Sequence, residues 1–172
     1  KGLSFWQEAE MDKLNLCGRN KSKVPVPARL KLDSVKEGEV LAGDELKEFR
    51  SMIGNLGQIA YRSRPDIAFL CHFLGRGDPE PTTMVKAVLK QGLQYLAGTR
   101  LVQVFYDRRS ELELTVMSDA SLEVSRSTTG TLVFLGEHLV GWQSKRQQNV
   151  ALSSNEAEIL AGAESVKLGC WT

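Results

Sequence analysis

The hydrophobic period of this chain changes once, near Thr99, and that change limits the fold more than any other feature. Between Asp44 and Gly98 apolar residues recur at spacings of three and four, as in helices that bury one face. Beyond Thr99 they alternate, or run in short blocks separated by turn residues, as in strands. Helices followed by strands predict an α+β chain, and connections this short make antiparallel pairing the natural outcome.

The helical half divides into three. Leu46, Phe49, Ile53, Leu56 and Ala60 share one face of a first helix that starts at Asp44, read as its cap, and stops near "RSRP". Pro65 suits the first turn of a second helix, backed by Ile67, Leu70 and Leu74 and ended by Gly75 and Gly77. A third runs from about Thr82 to Ala97 on Val85, Val88, Leu89, Leu93 and Leu96, with Gly98 just past its end. Residues 1–43, where Pro25 and Pro27 favour an extended path, read as a connector.

The strand half predicts "LVQVFYD" and "LELTVMSD" flanking the turn "RRS", with Leu112, Leu114 and Val116 on one face. "GTLVFLG" then turns at Gly136 and Glu137 into "HLVGWQS", and a last helix runs to about Lys167. Gly130 and Gly136 are assigned to backbone turns, His72 to packing and His138 to a turn. Trp142 and Trp171 are read as core or interface anchors.

Composition removes several function classes. No run of eighteen apolar residues could span a bilayer, and a net charge of +1 gives no global field towards nucleic acid. Arg19, Lys21, Lys23, Arg29 and Lys31 nevertheless form a basic stretch with no acid among them, either a solvated linker or a nucleic-acid contact. Cys17, Cys71 and Cys170 are far apart and odd in number, so three buried thiols in a reducing intracellular compartment are expected rather than a zinc site or a disulfide framework. The chain opens on Lys1 without a charged-then-apolar leader, as expected of a processed product or of part of something longer.

"ALSSNEAEILAG", residues 151–162, carries two glutamates at a helix start. Ser153 followed three residues later by Glu156 has the form of a capping box, which gives Glu156 a structural task. Glu158 lies about 200° further around the helix and cannot share it. If the strand ending "VMSDA" lies beneath this helix, Asp119 and Glu158 converge, and two convergent carboxylates call for a hard cation between them. By spacing alone they could equally be exposed surface residues.

"SDASLEVSRSTTGTLVFLGEHLVGWQSKRQQNVALSSNEAEILAGAES" resembles the ribonuclease H region of copia-type (pseudoviral) retrotransposon polyproteins. The family pattern there is an Asp-Ala-Asp strand end, an Arg-Ser-Thr-Ser-Gly strand start, a Trp-x-Ser-Lys-Lys-Gln strand end and a Ser-Ser-Thr-Glu-Ala-Glu helix start. "FRSMIGNLGQIAYRSRPDIAFLCHFLGR" and "PTTMVKAVLKQGLQYLAGT" are similar to the helical connection of those polyproteins, and "MDKLNLCGRNKSKVPVPARLKL" to the end of their reverse transcriptase. The resemblance implies a connector at 1–43, a helical connection at 44–100 and, at 101–172, a partial ribonuclease H-like fold of antiparallel strands plus its first helix.

The same resemblance puts the family's first catalytic carboxylate on Asp119 and its helix carboxylate on Glu158. The implied chemistry is cleavage of the RNA strand of an RNA–DNA hybrid by two Mg2+ or Mn2+ ions roughly 4 Å apart. The family's second Asp-motif aspartate is Ser121 here, and its third and fourth carboxylates are absent. Ion binding by this chain is therefore expected to be weak and hydrolysis by it alone negligible.

The absent strand implies a bare sheet edge, covered by the rest of the fold or by another protein chain. "LVFLG" and "LVGW" are the expected docking strands. A retroelement remnant serving as a structural subunit of a larger complex is the competing reading. A nucleic-acid binding module using Arg19, Lys21 and Lys23 is a third.

Overall fold

The computed structural model describes the backbone of residues 3–5 and residues 7–27, 30, 38–76, 80–107, 112–123 and 126–172. In chain order the elements are β1 (Leu3–Phe5), α1 (Glu8–Asp12), α2 (Gly43–Arg62), a 3-10 turn (Pro65–Ile67), α3 (Ala68–Leu74) and α4 (Thr83–Gly98). β2 (Val104–Tyr106), β3 (Leu114–Ser121), β4 (Thr128–Leu135), β5 (His138–Arg146) and α5 (Ser154–Trp171) follow. The chain divides into two compact units, Trp6–Gln103 and Lys1–Phe5 with Val104–Thr172. The α+β expectation holds, and β3, β4 and β5 form a three-stranded antiparallel sheet in that order.

In the helical unit, Phe49, Leu56, Ile59 and Ala60 of α2 are buried with Leu70 and Phe73 of α3 and with Val88, Leu93 and Leu96 of α4 in one apolar core. Each of these side chains larger than Ala60 contributes about 1.5–3 kcal/mol on leaving water. Asp44 is not the cap of α2. Ala42 holds that position with extended backbone and no side-chain bond, because Gly43, at φ +59°, already opens the helix. Asp44 pairs instead with Lys47 at 3.0 Å, both exposed.

α2 stops where Arg64 precedes Pro65, a position that disfavours helical backbone. Arg64 is fully buried and every arm of it is bonded. Its Nε and Nη2 donate to the two Asp66 carboxylate oxygens at 2.8 and 2.6 Å, and Nη1 donates to the Thr99 carbonyl at 2.9 Å. Nη2 also donates to Thr99 Oγ1 at 2.7 Å, and the Tyr95 hydroxyl donates to Asp66 at 2.8 Å. This network ties the 3-10 turn to the C-terminal end of α4, and no motif or period in the sequence announces it.

Residues 21–24 are strapped to α4 rather than free. The Ser22 amide donates to the Gln94 carbonyl at 3.2 Å, Gln91 Nε2 donates to the Val24 carbonyl at 3.3 Å, and the Lys21 stem lies against Gly98.

The sheet unit has a smaller and more polar core. α5 presents Ala157, Ala161, Ser165 and Gly169 to the sheet, and these small residues let it lie close. Thr131 and Ser165 share a 2.6 Å hydrogen bond, and buried Gln147 donates to Thr129 Oγ1 at 3.0 Å and to the Ala157 carbonyl at 2.8 Å. Gly136, at φ +60°, makes the tight β4–β5 turn as expected.

Several expectations for this unit are corrected. "LVQVFYD" does not pair with "LELTVMSD": only Val104–Tyr106 is extended, and it pairs antiparallel with β1, while eight-residue β4 gives β3 a full-length partner. The "RRS" turn, Gly77, Arg29 and Lys31 lie outside the described residues. Leu112 and Leu114 are exposed, while Val116, further along the same face, meets Gly169 of α5. Gly130 is no turn residue but lies inside β4, opposite Asp119.

"LVFLG" is not a free docking strand either, since β4 is paired on both sides and Val133 is fully buried. "LVGW" in β5 is half-buried. Trp142 is half-buried as well, Trp171 is 89% exposed, and His138 bonds the Asp107 backbone from the start of β5. Among the described residues, no helix is long and apolar enough to cross a membrane.

Candidate functional site

Ser153 and Glu156 form the cap predicted for them. Ser153 Oγ accepts the Glu156 amide at 3.2 Å, and Glu156 Oε2 reaches back to accept the Leu152 amide at 2.8 Å. That is one residue before the usual partner of a capping box, and it satisfies a helix-start donor in the same way. Glu156 is thereby occupied.

Glu158 turns elsewhere. Its Oε1 accepts the backbone amide of Ala120 at 3.3 Å. Successive residues of a strand point their N–H groups alternately to either side, and Asp119 pairs with Gly130 of β4, so the Ala120 amide points away from β4. Among the described residues β3 is paired on that one side only, and Glu158 closes the far side at its C-terminal end.

Asp119 emerges on the opposite face of the sheet. Val116 packs under α5 and Thr131 bonds Ser165, so side chains of the alternate set, Met117 and Asp119 on β3 with Gly130 on β4, face away from the helix. Asp119 and Glu158 are both exposed and arrive at one strand end from the two faces of the sheet. Beside them Ser121 pairs with Thr128, whose hydroxyl donates to Glu123 at 2.6 Å.

Carboxylate oxygens are the donor type a hard divalent ion takes, but these two are offered from opposite faces of the sheet. Among the described residues no group of three or more His, Cys, Asp or Glu side chains could hold a metal. Two carboxylates bind Mg2+ weakly, since that ion needs near-octahedral oxygen coordination.

The basic stretch belongs to the other unit. Arg19 Nε donates to the Asn15 carbonyl at 3.0 Å, and Lys21 and Lys23 are exposed. Arg19 lines a groove of about 350 Å3 floored by Phe49, Met52 and Leu93 and flanked by Lys86 and Lys90. Glu45 pairs with Lys86 there, so the groove carries both signs of charge and sequence reasoning did not foresee it.

The expectation of three buried thiols is corrected. Cys71 is buried and burial pushes its pKa up to about 12, but Cys17 and Cys170 are exposed. Each of those two sits where the chain turns its apolar face elsewhere, Cys17 after buried Leu16 and Cys170 after buried Gly169.

Comparison with known proteins finds relatives across most of the chain. The Pol polyprotein of transposon RE1 from Arabidopsis thaliana is 37% identical over 115 residues, which is 64% of this chain and 8% of that polyprotein. The secreted RxLR effector protein 161 of Plasmopara viticola is 32% identical over 127 residues, 72% of this chain and 89% of the effector. The Pol polyprotein of transposon TNT 1-94 from Nicotiana tabacum is 31% identical over 127 residues, 72% of this chain.

The chain belongs to the copia-type retrotransposon polyprotein family. It spans about 8% of the length of the RE1 and RE2 polyproteins. No family model matches it, and no solved structure does. Within this retroelement segment, Glu158 bonds the amide of Ala120, the residue after Asp119, so the two resemblance-assigned carboxylates lie at one strand end on opposite faces of the sheet.

Proposed function

We propose that this chain is the part of a copia-type polyprotein that supplies the first strands and first helix of a ribonuclease H-like site acting on the RNA strand of an RNA–DNA hybrid. The observation that carries the reading is the hydrogen bond from the Ala120 amide to Glu158. It brings the helix carboxylate to the strand end that bears Asp119, while Glu156 is held in the cap and out of the way.

In this reading Asp119 and Glu158 are the ligands this chain contributes, and the remaining ligands come from outside it. The bound ions, Mg2+ or Mn2+, would activate water and stabilise the leaving oxygen. Asp119 offers its carboxylate to the sheet face, and Glu158 is steadied by one backbone donor with a second oxygen left to coordinate. With two ligands the chain alone binds ions weakly and hydrolyses little.

The test is binding of a labelled RNA–DNA hybrid in Mn2+, compared with a DNA duplex of the same sequence. The hybrid is expected to bind more tightly, because recognition uses 2′-hydroxyls and backbone shape. Asp119→Asn is expected to weaken it. Equal binding to both duplexes, unaffected by Asp119→Asn, overturns the reading.

A second reading, a retroelement remnant used as a structural subunit, is favoured by apolar exposure on α5. Ile159 and Val166 are 72% and 60% exposed, and Leu114 and Met117 are exposed on β3. A stoichiometric protein partner protecting these four side chains from solvent labelling would support it.

A further inference from the structure

Among the described residues nothing gives Gly130 a reason to be glycine. It is the third residue of β4, the central strand, between Asp119 on β3 and Ser144 on β5. Its φ is not positive, so the backbone does not require it. Packing does not require it either: among the described residues the nearest atom to an added Cβ would be the Asp119 carbonyl oxygen at 4.0 Å, ordinary contact. Gly141, Gly92 and Gly169 differ, since a Cβ at those positions would come within 3.3, 2.3 and 2.6 Å of a neighbour.

A glycine inside a strand weakens the strand, and one that neither conformation nor packing demands marks a place where something else approaches closely. The face it opens on is the Asp119 face, because Thr131, the next residue, points the other way to Ser165. Gly130 is exposed, and its cross-strand neighbours there, Asp119 and Ser144, are short and polar. Along that face the surface rises into large side chains on either side of this pair, at Met117, Leu132 and Trp142 in one direction and at Arg146, opposite Thr128, in the other.

We infer that Gly130 is a positioning residue which keeps the floor beside Asp119 low, so that the sugar-phosphate backbone of a nucleic acid strand can lie against the sheet within reach of that carboxylate. The inference rests on the reading of Asp119 and Glu158 given above. It adds a steric requirement on the strand next to them: the seat admits a backbone only while position 130 lacks a side chain.

The test is a size series, Gly130→Ala and Gly130→Val, in the full 172-residue chain, read by two measurements. Thermal unfolding reports the fold, and anisotropy of a labelled RNA–DNA hybrid in Mn2+ reports the seat. Because a β-branched residue suits a strand and meets nothing here, the unfolding midpoint is expected to rise, by roughly 2–4 °C for valine. Hybrid affinity is expected to move the other way, falling about threefold for alanine and tenfold or more for valine, the range that 0.7 and 1.4 kcal/mol represent. A purely structural glycine cannot give that opposition.

If the unsubstituted chain binds hybrid and the valine variant binds it equally well, the inference is overturned and the site reading stands. If both lose affinity because the variant unfolds at lower temperature, the glycine is structural and the inference is again overturned. If the unsubstituted chain shows no preference for hybrid over DNA duplex, the site reading falls and takes the inference with it.

Discussion

The Glu158 carboxylate on α5 accepts the Ala120 amide proton on β3 at 3.3 Å, one residue past Asp119. Two glutamates separated by one residue thus perform different tasks. Glu156 satisfies donors at the helix start, and Glu158 pins the open side of a strand end.

Removing each should therefore have a different effect. Glu156→Ala is expected to lower stability by about 0.5–1.5 kcal/mol, the usual net worth of a hydrogen bond such as the one it accepts from the Leu152 amide. Glu158→Gln keeps an acceptor for the Ala120 amide and should change stability by no more than about 0.5 kcal/mol. Urea unfolding measures both, and equal losses would contradict the division of labour.

Gly169 and Gly54 predict opposite signs for the same substitution. Gly54, exposed inside α2, has nothing within 4 Å of an added Cβ, so Gly54→Ala should stabilise by about 1 kcal/mol. A Cβ at Gly169 would lie 2.6 Å from Cγ2 of Val116, whose branched side chain is stiff. Overpacking of about 1–3 kcal/mol then outweighs the helix gain, and Gly169→Ala destabilises. In a Val116→Ala background the penalty should vanish in thermal unfolding.

Asp66 makes stability depend on acid. Burial alone would raise its pKa, but hydrogen bonds from Arg64 and Tyr95 and the Arg64 charge outweigh burial and hold it below the ordinary value. A depressed folded pKa contributes stability above the unfolded value, about 3.9, which is lost as pH falls through the lower folded value. Asp66→Asn should cost about 3–5 kcal/mol near neutrality by leaving buried Arg64 without its charge partner. The gap between variant and parent should close below about pH 4 in urea titrations. A gap that stays constant with pH would show that the Asp66 charge is not the source.

The cysteines predict a count. Iodoacetamide at pH 8 should modify Cys17 and Cys170 and spare Cys71, whose thiol is buried and held at about 12. Urea should release the third thiol. Intact mass reads the number directly, and three rapid modifications in the native state would contradict the burial of Cys71.

The sequence showed the helices well because their buried faces repeat over many residues: Leu56, Val88 and Leu93 are where the period put them. It showed the Ser153–Glu156 cap because that signal is local. It misread what depends on distant partners. Val104–Tyr106 pairs with a strand about a hundred positions earlier, Leu114 is bare where Val116 on the same face meets Gly169, and Gly130 is a strand residue. Arg64 gave no periodic signal, since its burial depends on Asp66, Tyr95 and Thr99 converging in space. The bond from the Ala120 amide to Glu158 gave no sequence signal, since it depends on which way one strand-end amide faces.

The most direct test of the central claim is paramagnetic broadening of backbone amide resonances by Mn2+ in this chain. A site shared by Asp119 and Glu158 predicts that the signals of Asp119, Ala120, Gly130 and Glu158 broaden first. Asp119→Asn should abolish the effect with the spectrum otherwise intact. Broadening that spreads over acidic surface residues without favouring this strand end, or that survives Asp119→Asn, would contradict it.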